Sequence, residues 1–275
     1  MEYTELRASL EQHSQNSEIL VALLAEAGFD SFSTEDDGFI AWIPSQHFNM
    51  EEVSELLTNL EWVTGFSFES IADQNWNKEW EKNFDPVEID GRCRVRAPFH
   101  PSKPEFEFEI IIEPKMSFGT AHHETTHQMI SLLMDENVED STVLDMGSGT
   151  GILAILAAKK GAANIWAIDN DEWAYTNCLE NVEINDCSQI IVKMGDASLL
   201  EQCPDFDLVI ANINRNILLA DIKHYTAKMK TGAVIFFSGF YESDLETITE
   251  EANRNGLKID QYISMNEWVA ARFIK

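Results

Sequence analysis

Apolar and polar positions repeat with two different periods along this chain, and the periods predict its elements. Residues 3–10 alternate as in a strand. From Ser17 to Ala27 the spacing turns helical, with Ile19, Leu20, Leu23 and Leu24 on one face, Ser17 as cap and Gly28 as stop. Residues 29–33 and 39–43 read as short strands around the turn Glu35-Asp36-Asp37-Gly38. Asn49 caps a second helix over 50–60, with Val53, Leu56, Leu57 and Leu60 facing inward, and 65–71 is a last strand. The order βαββαβ predicts a small ferredoxin-like α+β domain over residues 1–71. That order alone names no function.

Residues 72–86 predict a linker helix, because Trp76, Trp80 and Phe84 recur every four residues and Pro86 ends the run. Residues 87–97 and 105–113 alternate as strands, joined by the proline-rich turn 98–104. A loop at 116–121, hinged at Gly119, leads into a helix with Met129, Ile130, Leu133 and Met134 inside. Strands and helices then alternate. Strands are predicted at 142–145, 165–168, 190–194, 206–211 and 233–238, and helices at 152–160, 172–181, 216–230 and 243–255. Gly232 breaks the chain after the third of these helices, and strands 258–265 and 267–274 close it. The expectation over 87–275 is an α/β doubly wound sheet ending in an antiparallel hairpin.

Composition narrows the classes. A chain of 275 residues predicts one large or two smaller domains, and 44% hydrophobic content is enough for a core. No apolar run approaches the roughly 20 residues that span a membrane. The first residues have neither a basic start nor an apolar stretch, so the expectation is a cytoplasmic protein without signal peptide or membrane contact. Cys93, Cys178, Cys187 and Cys203 show no paired spacing and read as free thiols. The net charge is −29. Residues 1–70 hold fourteen Asp and Glu against a single basic residue, Arg7. Such a surface repels nucleic acid and attracts basic partners, although plain solubility would also account for it.

The chemistry is concentrated at 142–169. An apolar run ends at Asp145, Gly147, Gly149 and Gly151 follow, then a helix, then a second apolar run ending at Asp169. Glycines there permit a tight turn and close ligand approach, and the second acid stands where a ribose offers two hydroxyls. Dehydrogenases use GxGxxG, whereas this pattern is DxGxGxG. With Asp196 after the third strand and Asn212 after the fourth, it resembles the Rossmann-like S-adenosyl-L-methionine-dependent methyltransferases. Methyl transfer is an in-line displacement that requires no metal and no nucleophilic side chain. It does require donor and acceptor held together, and a neutral amine if nitrogen is the acceptor. Asn212 can hold such an amine. Enzymes acting on planar nitrogens carry Asn-Pro-Pro-aromatic there, and this chain has Asn-Ile-Asn. His123-Glu124-Thr125-Thr126-His127 fits the zincin pattern HExxH. It lies at a helix start with no third ligand spaced to follow, so no metal site is expected.

One family fits all these features. Residues 112–120, then Thr125-Thr126, are similar to a segment of the ribosomal protein L-eleven methyltransferases (PrmA type) that reads DPGMAFGTGTHPTT. Trp76, Trp80 and the run 83–86 resemble that family's linker, residues 152–158 its helix, 211–213 its Ala-Asn-Ile element and Ser238-Gly239 its Ser-Gly pair. The first domain matches only in length and element order. The resemblance implies transfer from S-adenosyl-L-methionine to the N-terminal α-amine and lysine ε-amines of a basic ribosomal protein, by a monomer that docks it on its acidic first domain. It places cofactor contacts on Thr126, Gly147, Asp169 and Asn212. Phe118, Asp145, Gly149, Gly151 and Asp196 join that set, with Asn212 also the catalytic residue that orients the acceptor. Lys115 and Ala121 replace glycines, His122 a threonine, Glu124 a proline, and Ser148 stands where many members have cysteine. A nicotinamide-dependent oxidoreductase and a non-catalytic binding module on the same sheet are the alternatives.

Overall fold

A computed structural model describes residues 3–11, 13–35, 38–60, 62–71, 85–115 and 117–275. The chain divides into two units, Met1–Asn83 and Phe84–Lys275. The predicted linker helix with its Trp76, Trp80 and Phe84 stripe lies outside the described residues, as does the centre of the turn at Asp36-Asp37.

The first unit runs β1 (Tyr3–Leu10), α1 (His13–Glu26), β2 (Ser31–Glu35), β3 (Gly38–Pro44), α2 (Met50–Thr58) and β4 (Val63–Ile71). Its antiparallel sheet has the order β2-β3-β1-β4. Leu6, Phe39 and Ile43 from the sheet meet Leu20, Leu24 and Leu57 from the helices in one core. Asn49 caps α2 through Glu52 N at 3.4 Å, as its position predicts. Two expectations are corrected. Helix α1 begins at His13, so Ser17 is buried inside it and does not cap it. The added first turn, His-Ser-Gln-Asn, is polar, and the apolar period could not reveal it. Ile19 is half exposed, while Leu20 and Leu24 of the same predicted face are buried.

The second unit opens with a three-stranded sheet of order β5-β6-β7, formed by β5 (Val87–Ile89), β6 (Cys93–Arg96) and β7 (Phe108–Ile111). The single strand predicted over 87–97 is therefore a hairpin. Its turn, Asp90-Gly91, has φ of 52° and 64°, the left-handed pair an Asp-Gly dipeptide supplies most readily. Then come α3 (Glu124–Asp135), β8 (Thr142–Met146), α4 (Ile152–Lys159), β9 (Asn164–Asp169), α5 (Glu172–Ile184) and β10 (Ile190–Met194). The chain closes with β11 (Phe206–Asn212), α6 (Arg215–Ala227), β12 (Met229–Tyr241), α7 (Leu245–Arg254), β13 (Lys258–Met265) and β14 (Trp268–Ile274). Gly232, expected as a break, lies inside β12, where its φ of 80° bends the strand and its N–H donates to Lys275 O.

The main sheet has the order β10-β9-β8-β11-β12-β14-β13. The first five strands are parallel, while β14 and β13 run antiparallel. Helices α3, α4 and α5 cover one face through residues such as Met129, Ile155 and Cys178. Helices α6 and α7 cover the other through Leu218, Ile222 and Ile248. Burial on both faces explains the apolar runs Val143-Leu144 in β8 and 208–211 in β11. In the parallel register Met194 lies beside Asp169 and Asn212 beside Ser238. Asp145 lies between Ala167 and Ile210, so the carboxyl ends of β8, β9 and β11 share one edge. No described helix is long and apolar enough to cross a membrane.

Candidate active site

Strand β8 delivers the chain into a glycine turn that its neighbours hold by backbone bonds. Gly147 N and Ser148 N both donate to Ile168 O, at 2.8 and 3.1 Å, and Gly149 N donates to Asp169 Oδ2 at 2.8 Å. Two of the glycines are required by close approach. A Cβ on Gly147 would sit 2.1 Å from the Ile213 side chain, and one on Gly149 would sit 2.3 Å from the Phe118 carbonyl. Both positions also have positive φ, 71° and 53°.

The loop before α3 is latched onto this turn. Phe118 O accepts from Thr150 N at 2.9 Å, and Gly119 O accepts from the Thr150 hydroxyl at 2.6 Å. His123 caps α3, its Nδ1 accepting from Thr125 N at 3.2 Å. Its ring stands edge-on to Phe118 at 5.2 Å and to Trp268 at 4.8 Å, and Trp268 lies 4.1 Å from Tyr241. The HExxH histidine is thus committed to a cap and an aromatic stack, with His127 a turn away along α3. Among the described residues no three His, Cys, Asp or Glu side chains are grouped to hold a metal ion.

A cavity of about 430 Å³ opens at these strand ends. Its walls include Phe118, Gly147, Gly149, Asp169 and Asn212 from the predicted set. A small annex of about 70 Å³ shares Gly147 and Asp169 with it and adds Asp196. Ser117, Asn170, Trp173 and Ile213 also line the cavity, and the sequence reading missed them. The first two carry no pattern of their own. Trp173, a large apolar residue two positions past a helix cap, belongs to no period that would mark it. Three predicted residues lie elsewhere. Asp145 is fully buried beneath the turn, where its Oδ2 accepts from Ala154 N at 3.0 Å. Gly151 caps α4, and a Cβ there would meet Cys178 Sγ at 2.5 Å. Thr126 is buried behind Asn212, whose Nδ2 reaches the Thr126 hydroxyl at 3.5 Å.

The electrostatics of the site are one-sided. Asp169 and Asp171 line the cavity and Asp196 and Asp221 the annex, and no Lys, Arg or His among the described residues lines either. Asp169 Oδ1 also accepts from Asp171 N at 3.0 Å, so this carboxylate joins the glycine turn to the start of α5. Burial pushes the Asp145 carboxyl up to about 7, the bond from Ala154 opposes the rise and nearby Asp169 adds to it. Asp196 is held below the usual carboxylate range by its bonds from Ser198. Two buried polar atoms at the cavity, Ser117 Oγ and Asn212 Oδ1, have no hydrogen-bond partner. A buried acceptor without a partner is costly, and a donor on an occupant of the cavity would satisfy Asn212 Oδ1.

The loop residues that depart from the resembled family all have places. Lys115 pairs with Glu180 of α5. Ala121 takes a φ of 69°, which suits the glycine it replaces. His122 Nε2 lies 3.0 Å from Asp85 O. Glu124 is the first residue of α3 and accepts from Asn266 at 2.9 Å. A second cavity, about 410 Å³, lies along β1, β3 and β4 of the first unit, where the only charged wall residue among the described ones, Arg7, is paired with Glu5.

The sequence profile of the ribosomal protein L11 methyltransferases (PrmA) matches residues 3–275. The chain belongs to this family. A ribosomal protein L11 methyltransferase of Porphyromonas gingivalis is 47% identical over 262 residues, covering 93% of this chain and 90% of the relative. One from Bacteroides fragilis is 44% identical over 262 residues, covering 94% of each. The crystal structure of a ribosomal protein L11 methylase from Lactobacillus delbrueckii subsp. bulgaricus superposes with a TM-score of 0.64 at 26% identity, over 69% of this chain and 98% of that one. The family membership extends over the first unit, where the residue-level resemblance was weakest, because the profile match starts at residue 3. The α/β sheet with helices on both faces is the methyltransferase-like fold of that structural relative.

Proposed function

We propose that this chain is an S-adenosyl-L-methionine-dependent protein N-methyltransferase that modifies the N-terminal α-amine and lysine ε-amines of ribosomal protein L11. In this reading residues 87–275 are the methyltransferase domain, 1–71 an acidic ferredoxin-like docking domain, and 72–86 the linker, acting as a cytoplasmic monomer. The observation that carries the reading is the buried, unpartnered Asn212 Oδ1, at the end of β11 beside a cavity walled by Asp169 and the glycine turn. The relatives' names supply the acceptor.

The residues present fit the donor. Asp169 offers a carboxylate to two ribose hydroxyls, Gly147 and Gly149 leave backbone accessible to the methionine end, and Asp196 in the annex can accept from the adenine amine. When bound, the donor supplies a methyl carbon on a positively charged sulfur. Asn212 Oδ1 accepts an N–H of the acceptor amine and so aims its lone pair. The amine attacks in its neutral form, so its proton is released to water before transfer. Transfer would form an N–C bond from the amine lone pair as the S–C bond to the methyl breaks, its electrons remaining with the departing thioether. Among the described residues four carboxylates and no basic side chain line the cavity and its annex, a charge balance that weighs against an anionic dinucleotide.

Incubation of the full chain with methyl-labelled donor and ribosomal protein L11, followed by mass spectrometry, tests this. Mass gains of whole methyl groups at the N-terminus and at lysines are expected, and Asp169→Ala abolishes them together with donor binding by calorimetry. Donor binding without transfer to L11 would leave a binding module, and nicotinamide binding without S-adenosylhomocysteine binding would leave an oxidoreductase.

A further inference from the structure

Trp173 is the most exposed large apolar side chain among the described residues, at 77%, and it stands in the cavity wall. Phe118, 52% exposed, is the other aromatic ring of that wall. An indole left in water at the rim of a cavity is apolar surface awaiting a partner. The helix start that carries it is firmly set. Asp171 caps α5 by accepting from Ala174 N at 2.9 Å, Asp171 N donates to Asp169, and Asp169 accepts from Gly149 in the turn. The cavity with both rings also holds Ser117 and Asn212, whereas Asp196 lies in the annex. The rings therefore line the larger cavity and not the annex. With only carboxylates charged among its described wall residues, this cavity favours a positively charged group, and an aromatic face attracts a cation within about 6 Å.

We propose that Trp173, assisted by Phe118, forms an aromatic lip that senses the charge on the donor's sulfur, favouring the sulfonium over the neutral thioether left after transfer. This rests on the donor reading above. The lip holds the donor while sulfur is positive and loosens when the methyl leaves, because the cation–ring attraction ends with the charge. It thus acts on ligand exchange at this site, and the hydrogen bonds of Asp169 are common to both ligands.

The test is calorimetry of S-adenosyl-L-methionine and S-adenosylhomocysteine on the full chain and on Trp173→Ala, Trp173→Leu and Trp173→Phe. Thermal melts check that the exposed substitutions leave the fold intact. Trp173→Ala is expected to weaken the sulfonium ligand about threefold to thirtyfold more than the thioether. Trp173→Phe retains most of the preference, and Trp173→Leu, apolar but without a ring, loses it. Equal losses for both ligands, or a preference restored by leucine, would overturn the lip as a charge sensor and leave it as packing. If the unaltered chain binds neither ligand, the donor reading itself fails, and that result is distinct from a lip without preference.

Discussion

Asp145 shows how much a single carboxyl can contribute beneath a ligand site without touching the ligand. It is wholly buried, its Oδ2 bound to the first turn of α4, and burial raises its carboxyl from the ordinary range to about 7. The folded state therefore favours the protonated form. That preference is fully present below the carboxyl's unfolded-state range and is lost as pH rises through about 7, above which the buried charge opposes folding. Asp145→Asn keeps the shape and can accept the same bond through its amide oxygen, without a titrating group. The stability of the variant relative to the unaltered chain is expected to rise between pH 5 and 8, by roughly 3 kcal/mol at most. Urea denaturation at several pH values measures this, and a difference constant with pH would refute the account. From the sequence Asp145 was legible as part of the glycine pattern, but its burial was not, because a motif gives order along the chain and not depth. Trp173 failed to register for the opposite reason. An isolated aromatic near a helix cap has no period to mark it, and only the cavity gives it meaning.

Helix α5 carries the loop that frames the site, through asparagines spaced one turn apart. Asn181 Oδ1 accepts from Glu113 N at 2.8 Å and its Nδ2 donates to Thr150 O at 2.9 Å, so one side chain ties the root of the Phe118 loop to the glycine turn. Asn185 bonds both the N–H and the carbonyl of Ile111, at 3.0 and 2.6 Å, and Asn177 donates to Glu113 O at 3.2 Å. All three side chains are buried. Asn181→Ala leaves a buried N–H and a buried carbonyl unpaired, at about 1–3 kcal/mol each. A stability loss of about 2–5 kcal/mol is expected, with weaker binding of S-adenosylhomocysteine, and a loss below about 0.5 kcal/mol would mean that water replaces the side chain. The sequence reading placed this helix correctly from residue 172 but ended it at 181 and could not assign the stripe. Asparagines at helical spacing look like a solvated face until β7 is known to run beside them. The main sheet was legible because its strands are apolar runs bounded by glycine and acid. The β5–β6 hairpin was lost because two short strands about a two-residue turn imitate one alternating strand, even though Asp90-Gly91 stood between them.

At the scale of the whole molecule the dominant property is the charge of −29, and its placement bears on the partner. The second unit holds the cavity with its acidic walls, while residues 1–70 contribute fourteen acidic side chains against Arg7 alone. A basic protein substrate would feel a long-range attraction toward the chain before any contact forms, and this steering acts on association far more than on the chemical step. Salt shortens its reach, from about 30 Å at 0.01 M ionic strength to about 10 Å at 0.1 M and 3 Å at 1 M. For methylation of ribosomal protein L11, kcat/KM is therefore expected to fall by roughly tenfold or more between low and high salt. The value of kcat at saturating substrate should change little, because Asn212 and the apolar walls act at contact distance. Charge reversal of exposed acids in the first unit, Glu51→Lys with Glu55→Lys, should flatten the salt dependence and leave S-adenosylhomocysteine affinity unchanged, since neither residue lines the cavity. Initial rates across a salt series, with the donor saturating, decide it. A kcat/KM that ignores both salt and charge reversal would reduce the acidic surface to a solubility device. The recognition of the acceptor would then rest on the cavity rim, where Phe118 and Trp173 stand.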